Sequence, residues 1–508
     1  MNPLSDLFFI NGLGRKSTER EEMTMEQKMC GVGWLEEAIE YLEQLAMEDS
    51  SENRHQPTVG RYQPKPLVPY FGYDFWAKWL VLVEWAWLLT LAKAGIIPKE
   101  YHQYLSQAKL HSLLKLIATT EQDQIEKAET KGHDINALII LIRRQLPESL
   151  RRFVHLGPTS YDIISTAYAL QLKLCHQRVV RPMLGEIDEL WRGVIHENAE
   201  LVQLGRTHLQ AALPITGGFW LATLHTRYAR NVKMLDRAAS ELEGKFTGAV
   251  GTRAAQVALF GRTDLEDMVM HELGLIAAPV STQIAPPESV TDYYYYVTLL
   301  SGVLANLGND VRTLQSTQYG EIDTIGSTSS TMSHKRANPT AAENPVGMYR
   351  ICNGTIVTIL TNLSSDLGRD LCNSGPMRMF ASELVYFYQS CLSIKRMFKS
   401  MEFNASRCQE NFERYGKQLP AELLHLTLQL AGLPVAHKFV NEVVSFEAIQ
   451  KDCTLDVVMN QIADRGSHPE VAAIWEQMDE GVKSILANPA LYLGDAVFTA
   501  FKEAQNIC

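Results

Sequence analysis

The sequence predicts an all-α protein built around a central bundle of long helices. Strand signals are scarce after about residue 61, and two segments without proline carry apolar residues at steps of three or four. Such spacing keeps one stripe of a helix apolar over several turns, and long helices with a continuous stripe pack as bundles. We expect three helical regions, residues 57–155, 156–402 and 403–508, after an N-terminal extension over residues 1–56.

The extension is polar and charged, and residues 50–57 have the composition of a linker. No basic region precedes its apolar patch at residues 7–10, so the N-terminus does not have the pattern of a signal peptide. The sequence leaves open whether the extension is a regulatory or interface arm or is disordered.

The next region contains the apolar run WLVLVEWAWLLTLA at residues 79–92, with Glu84 in its middle. A membrane-spanning helix needs about eighteen apolar residues or more, so this shorter run predicts a buried core helix. The eight cysteines form no CxxC pair, which argues against a disulfide framework or a zinc site and favours a reducing compartment. We therefore expect a soluble, cytoplasmic protein.

Two segments define the predicted bundle. Their apolar stripes consist of Leu221, Leu224, Tyr228, Val232, Leu235 and Leu242 in the first, and Tyr293, Tyr296, Leu300, Val303, Leu307, Val311 and Leu314 in the second. Residues 341–365 and 378–402 supply further candidates for long helices. Glycine or proline near residues 157, 205, 217 and 326 separates the predicted helices.

Net charge excludes one class of partner. The chain has 47 lysines and arginines against 58 aspartates and glutamates, a net charge of -11. Nucleic acids and anionic membranes bind proteins with a net basic surface, so we expect neither as a partner. A local basic pocket is still compatible with this balance.

The segment of residues 326–339, GSTSSTMSHKRANP, is the richest in chemical groups. Its serines and threonines compete for backbone hydrogen bonds and therefore disfavour a helix. A loop that carries serine, histidine, lysine, arginine and asparagine can close over an anionic ligand. We expect a functional loop between two long helices.

This loop is similar to the signature G-S-S-x-M-P-x-K-x-N-P of the fumarase/aspartase superfamily. Two segments that precede it match the family in the same order, HLGPTSYD at residues 155–162 and GRTH at residues 205–208. The adenylosuccinate lyase branch resembles the chain most closely, through segments at residues 60–62, 132–134, 244–252, 281–283 and 369–374, followed by Arg378. The resemblance extends from about residue 60 to 400. It implies a three-domain fold with a central bundle, a homotetramer with shared active sites, and neither metal nor cofactor.

The implied reaction is a β-elimination. A base removes a proton beside a carboxylate, an acid protonates the leaving nitrogen, and fumarate is released. The catalytic residues carried over are Ser329, His208, Lys335, Glu343 and Asn338. Ser329 matches the base, with Ser327 as the competing assignment, and His208 matches the acid. Glu343 would orient that histidine, while Lys335 and Asn338 would stabilise the carbanion. We expect this stabilisation to be the largest single contribution to catalysis.

The resemblance also implies a set of residues that bind the substrate. They are Arg61, Tyr62, His133, Asp134, His155, Thr159, Ser160, Thr207, Gln283, Ser330, Met332, Arg369, Ser374 and Arg378. Thr159 and Ser160, with His155, match the residues of the family that bind the succinyl carboxylates. The arginines match the residues that bind a nucleotide phosphate, whose oxygens suit the planar guanidinium.

The sequence departs from the family pattern at several positions. The loop has Ser333 in place of proline, Thr328 in place of glycine, and one extra residue, Ala337, which shifts a neighbour by up to about 3.5 Å unless the backbone bulges. Ser165 replaces a second acid, and residues 284–288 replace a run rich in arginine and aspartate. Residues 209–216 look more like the carboxymuconate cycloisomerase branch.

These observations predict an adenylosuccinate lyase-like enzyme of purine biosynthesis that acts on a small anionic substrate. Two alternatives remain. One is a lyase or cycloisomerase of the same fold that acts on a polycarboxylate without a nucleotide, such as a nitrogen-succinate lyase. The other is a catalytically inactive structural homologue. Arg61, Arg369 and Arg378 distinguish the first alternative, because they have a role only if the substrate carries a phosphate.

Overall fold

The all-α prediction is confirmed. The structure, a computed structural model, describes residues 30–48, 56–324, 338–368 and 371–505. Within these ranges, helices make up almost all the regular structure, and the strands are short and lie in two-stranded pairs.

The N-terminal region consists of short helices around one long, buried helix. The helices are α1 Trp34–Glu48, α2 Val68–Phe71, α3 Trp76–Lys93, α4 Gln107–Leu116, α5 Thr119–Ile125, α6 Asp134–Gln145 and α7 Glu148–Arg151. Every residue of α3 from Ala77 to Ala92 is buried. Among the described residues, only the stretch Tyr73–Lys93 is long and apolar enough to cross a membrane, and 94% of that apolar window is buried. The prediction of a core helix at residues 79–92 is confirmed.

Part of the predicted extension is folded. Helix α1 buries Trp34, Ala38, Ile39, Leu42 and Ala46 against the main hydrophobic core. Their spacing of about four residues forms one apolar stripe, which the acidic composition of the region conceals.

The longest continuous helical run in the described part of the chain covers residues 160–197 and forms one rod. Helix α8 (Ser160–Cys175), a π-helical segment (His176–Val180) and helix α9 (Arg181–Glu197) follow one another without a break. At 1.5 Å per residue, this rod is about 55 Å long.

Four more long helices complete the central bundle with α9. These long helices are α10 Gly217–Ser240, α13 Glu288–Leu314, α14 Thr340–Thr361 and α15 Ser374–Phe398. A hairpin of β1 Val202–Thr207 and β2 Gln210–Thr216 precedes α10, and β5 Ile322–Thr324 follows α13. Between α10 and α13 lie the short elements β3 Glu243–Gly244, α11 Ala254–Phe260, α12 Leu265–Leu273 and β4 Ile276–Ala277. The two helices predicted from the apolar stripes are α10 and α13, and the two further candidates are α14 and α15. All four predictions are confirmed.

Consecutive bundle helices are antiparallel. Tyr228 of α10 donates a hydrogen bond to the Leu184 carbonyl of α9, and the Trp220 indole lies 3.3 Å from a carboxylate oxygen of Asp310 in α13. Helices α13 and α14 pack closely at Gly308, where a Cβ would lie 2.4 Å from the Ala342 carbonyl oxygen. The hairpin β1–β2, the C-terminal end of α13 and the N-terminal end of α14 therefore share one end of the bundle, which we call the hairpin end.

The last region begins with β6 (Met401–Phe403), which pairs with β5. Its helices are α16 Ala405–Tyr415, α17 Ala421–Leu430, α18 Ala436–Phe439, α19 Phe446–Lys451, α20 Leu455–Arg465, α21 Pro469–Gln477, α22 Glu480–Ala487 and α23 Ala496–Gln505. A separate hydrophobic cluster forms between Leu424 and Leu486. Helix α23 returns to the bundle, where Glu503 contacts His225. The limits of the three predicted regions stay predictions.

Candidate active site

His208 stands at the tip of the β1–β2 hairpin. Thr207 pairs with Gln210, so His208 and Leu209 alone form the turn, with φ of 53° and 61°. Two successive left-handed residues are the geometry of a type I′ turn, which matches the twist of the strands. Both His208 and Thr207 are exposed. The hairpin therefore presents the imidazole to the space beyond the bundle.

A buried carboxylate fixes the base of this hairpin. Glu321 is fully buried and pairs with Arg206, while it also accepts hydrogen bonds from Gln203 at 2.9 Å and from Asn411 at 2.8 Å. The guanidinium of Arg206 also lies 4.6 Å from the centre of the Tyr319 ring. These contacts stop the hairpin from pivoting, so the position of His208 is set by the fold.

Two other predicted catalytic residues lie at the hairpin end. Asn338 is exposed just before α14, and Glu343 lies in the first turn of that helix. Glu343 is paired with Arg312, at 4.0 Å. Among the described residues no recorded contact joins Glu343 with His208.

His155 is held by a carboxylate inside the long apolar helix. Its Nδ1 lies 2.6 Å from Oε1 of Glu84, whose side chain is only 1% exposed. Burial lowers the pKa of His155, but the charge and hydrogen bond of Glu84 outweigh burial, so that the pKa is raised. His155 also has a φ of 59°, a left-handed conformation that is uncommon outside glycine. The acid that argued against a membrane span thus orients a predicted site histidine.

Thr159 and Ser160 are positioned by a buried ion pair. The Thr159 N–H donates to Asp162 at 2.7 Å, at the start of α8. Asp162 and Lys245 are both fully buried and paired with each other. Lys245 also donates to the backbone carbonyl of Gln283 at 2.9 Å. One ammonium group therefore connects two segments that contain predicted substrate-binding residues.

Two departures from the family pattern meet in the same place. The backbone N–H of Ala285 donates to the hydroxyl of Ser165 at 3.4 Å. The residue that replaces an acid thus contacts the segment that replaces a charged run, so the two departures are structurally linked.

Asp134 and Arg378 line one cavity of about 670 Å³. Its aromatic lining includes Trp76 and Tyr168, whose rings stack at 4.5 Å. Arg378 donates to both the hydroxyl and the carbonyl oxygen of Ser374. Three predicted binding residues therefore lie together, near the start of α15.

Three further predicted binding residues, Arg61, Tyr62 and His133, do not line this cavity. Arg61 is exposed, and the ring of Tyr62 lies edge-on to Tyr386 of α15 at 6.2 Å. His133 is exposed at the start of α6, where its Nδ1 accepts the backbone N–H of Asn136 at 3.3 Å.

Five predicted site residues lie outside the described residues. They are Ser329, Ser330, Met332, Lys335 and Arg369. The alternative base Ser327 and the departures at residues 328, 333 and 337 lie there too.

Described site residues lie at both ends of the bundle. Arg378 belongs to the end where α13 begins, since Phe380 packs on Tyr294 with ring centres 5.5 Å apart. His208 and Glu343 lie at the hairpin end, separated from Arg378 by the length of α13. That helix has 27 residues and is about 40 Å long. One chain does not bring the two groups together.

Two residues that the sequence did not assign to the site have clear structural links to it. Glu84 contacts His155, and Lys245 holds Asp162 and Gln283. A single acid inside an apolar run is the one signal that pointed to Glu84.

Comparisons with known proteins agree with this architecture. A family model described as lyase matches residues 70–354, more than half of the chain. An adenylosuccinate lyase of Archaeoglobus fulgidus is 32% identical over 76% of this chain and 86% of its own length.

Two solved structures share the fold. A fumarate lyase from Mesorhizobium sp. BNC1 has a TM-score of 0.72 and 21% identity, over 85% of this chain and 95% of its own. A 3-carboxy-cis,cis-muconate lactonizing enzyme from Pseudomonas putida has a TM-score of 0.68 and 23% identity, with the same coverage.

The family match spans most of the bundle and the relative covers most of both chains, so the predicted enzyme class, a carbon–nitrogen lyase, is confirmed at the level of the family. The chain belongs to the lyase family of the fumarase/aspartase superfamily and is most like the adenylosuccinate lyases.

Proposed function

We propose that this enzyme cleaves a succinyl C–N bond and releases fumarate, with adenylosuccinate as its leading substrate in purine biosynthesis. The observation that carries the proposal is the arrangement around Arg378, which is braced by Ser374 at the wall of an aromatic-lined cavity. A guanidinium fixed in this way suits a phosphate, and stacked aromatic rings suit a planar base. The identity to an adenylosuccinate lyase over most of both chains supports the same substrate.

In the proposed mechanism, Ser329 removes the proton beside the carboxylate and His208 protonates the leaving nitrogen. Lys335 and Asn338 stabilise the negative charge that develops on the carboxylate, and Glu343 holds the charged form of His208. Histidine suits the acid role because its usual pKa, about 6.5, lies near neutral pH.

We further propose a homotetramer in which different subunits complete each site. His208 and Arg378 are separated by the length of α13, which supports active sites that are shared between subunits. A site that contains both residues requires a second chain. Helix α14 also leaves an apolar face uncovered, with Val357 60% exposed and Leu360 45% exposed. Gly354 on the same helix has no neighbouring atom within 4 Å of its Cβ position, which allows another helix to approach closely. We also propose that the assembly is soluble and cytoplasmic, and the burial of α3 supports the first of these two properties.

A direct assay tests the proposal. Purified protein is mixed with adenylosuccinate, and absorbance and fumarate release are followed across neutral pH. We expect fumarate in proportion to adenylosuccinate consumed, and an Arg378→Gln variant with a raised KM. If no fumarate forms at any pH between 6 and 9, adenylosuccinate is not the substrate.

A second candidate is a lyase or cycloisomerase that acts on a polycarboxylate without a phosphate. One observation favours it. The hairpin sequence at residues 209–216 resembles the carboxymuconate cycloisomerase branch. Turnover of carboxymuconate with unchanged KM in Arg378→Gln would select this function.

A further inference from the structure

A second cavity, of about 530 Å³, opens on α6 beside His155. We infer that Arg143 binds a carboxylate of the substrate in this cavity, together with His155, and that the ligand class is a small dicarboxylate. The succinyl identity of that ligand rests on the proposed function. The binding of a dicarboxylate does not.

Arg143 is fixed before any ligand arrives. Its Nε donates to the Arg151 carbonyl at 3.1 Å and its Nη2 to the Val154 carbonyl at 3.2 Å. No protein partner is recorded for Nη1 among the described residues. A guanidinium held by backbone carbonyls loses little side-chain entropy when it binds an anion, and its planar N–H groups match a carboxylate.

His155 supplies a second donor in the same cavity. Glu84 occupies its Nδ1, which leaves Nε2 as the ring nitrogen available to a ligand. Glu84 has one further buried oxygen without a hydrogen-bond partner, so its charge depends on His155 for compensation. This dependence favours the imidazolium, in which both nitrogens carry hydrogen.

The charges around the cavity favour an anion. Lys131, Arg143 and His155 line it, and Glu129 is the acidic residue of the lining. The carboxylate of Glu129 is already paired with Arg144 at 2.7 Å. Since that acid is compensated from outside the cavity, the remaining charge inside is positive.

The cavity is also shaped for a short ligand. Ile139 and Ile140 form an apolar wall, and Asn136 offers an uncharged hydrogen-bonding group. Two carboxylates joined by two carbons, as in succinate or fumarate, place charge near the cations and the short hydrocarbon against the isoleucines.

Calorimetric titration of the full-length protein with succinate tests the inference. We expect Arg143→Gln to weaken succinate binding at least about tenfold, the scale of a charge-assisted hydrogen bond. Arg143→Lys, which keeps the charge, should recover most of that loss. Arg152→Gln is the matched control, because Arg152 is exposed and stacks on the Phe153 ring at 4.9 Å without lining the cavity.

Three outcomes would overturn the inference. They are no succinate binding by the unaltered protein, unchanged binding in Arg143→Gln, and equal losses in Arg143→Gln and Arg143→Lys with a similar fall in Tm. The last outcome would show that Arg143 has only a structural role, through its hydrogen bonds to the Arg151 and Val154 carbonyls. If the protein binds succinate through Arg143 but does not cleave adenylosuccinate, the subsite stands and the proposed function fails.

Discussion

His155 and His208 lie beyond opposite ends of one unbroken helical rod, residues 160–197. The rod is about 55 Å long, so the two imidazoles of one chain do not reach a common substrate. If both act on one molecule, they come from different subunits.

This geometry predicts complementation. We expect the His155→Ala and His208→Asn variants each to be nearly inactive, and a mixture of the two, unfolded and refolded together, to regain activity. Random assembly of an equal mixture would restore roughly a quarter of the sites. Each site takes one histidine from each of two subunits, and both histidines are intact in one combination out of four. Activity that stays at the level of the parents after verified mixing would contradict shared sites.

His208→Asn should lower kcat by about 10² to 10⁴, the usual contribution of a general acid, while Tm changes little. Asparagine is chosen because it tolerates the left-handed φ of 53° in the hairpin turn, so the variant removes the imidazole and keeps the turn. Leu209→Asn is the control at the adjacent turn position and should retain activity. A kcat equal to that of the unaltered enzyme would exclude His208 as the acid.

Glu84→Gln should move the pH dependence of succinate binding to lower pH. Glu84 raises the pKa of His155 above its usual 6.5, so the imidazolium and its contribution to stability are present below pH 6.5. Both are lost as pH rises through the raised value. Without the carboxylate of Glu84, the loss of succinate binding on raising the pH should begin at a lower pH than in the unaltered protein. Titration with succinate from pH 5 to 9 measures this shift. Glu148→Gln, on the surface of α7, should leave the profile unchanged.

Lys245→Met should destabilise the chain by about 3 kcal/mol, because it leaves Asp162 buried without its cation. The backbone N–H groups that still donate to Asp162 keep the loss near the low end of the usual range. Urea denaturation measures the effect, and an Asp162→Asn/Lys245→Met double variant should lose less than the sum of the single variants. Exposed Lys233→Met serves as the control.

Glu383→Gln should stabilise the protein more at pH 8 than at pH 5. Glu383 is fully buried in the bundle, and burial raises its pKa from 4.5 to about 8. The Thr298 hydroxyl lies 3.1 Å from the Tyr294 carbonyl and 2.7 Å from Glu383, but it has only one hydrogen to donate. A protonated Glu383 satisfies both contacts.

Between pH 4.5 and 8 the folded chain therefore retains a proton that the unfolded chain has released, so the stability of the unaltered protein falls as pH rises. The loss is at most several kcal/mol, at about 1.4 kcal/mol per pKa unit. Glutamine removes this pH dependence. Parallel Tm curves for the two proteins across the range would contradict the prediction.

The helices that were predicted best are those whose burial follows a simple period. Helices α10 and α13 each present one apolar stripe to the bundle, and their bounds lie close to those of the sequence pattern. Leu242 extends the pattern of α10 but lies two residues beyond its end, buried just before β3. Periodicity indicates burial and does not show where a helix ends.

The hairpin and the supporting residues of the site were harder to predict. The turn at His208 and Leu209 uses left-handed conformations in residues other than glycine, and neither residue is a typical turn former. Glu84 and His155, or Asp162 and Lys245, are separated by about 70 to 80 residues in sequence, so only the folded chain shows that they pair. Local patterns identify the reactive groups but not the partners that orient them.

The π-helical segment His176–Val180 gives the long rod two different faces. A π-turn adds one residue to a turn, so the helix after it is rotated by roughly 100° relative to an uninterrupted α-helix. Before the segment, Tyr168 faces the N-terminal region, and after it Trp191 faces the bundle. Deletion of one residue here would remove this rotation and misalign one of the two interfaces, so the inserted residue sets the angle between two hydrophobic surfaces of the same rod.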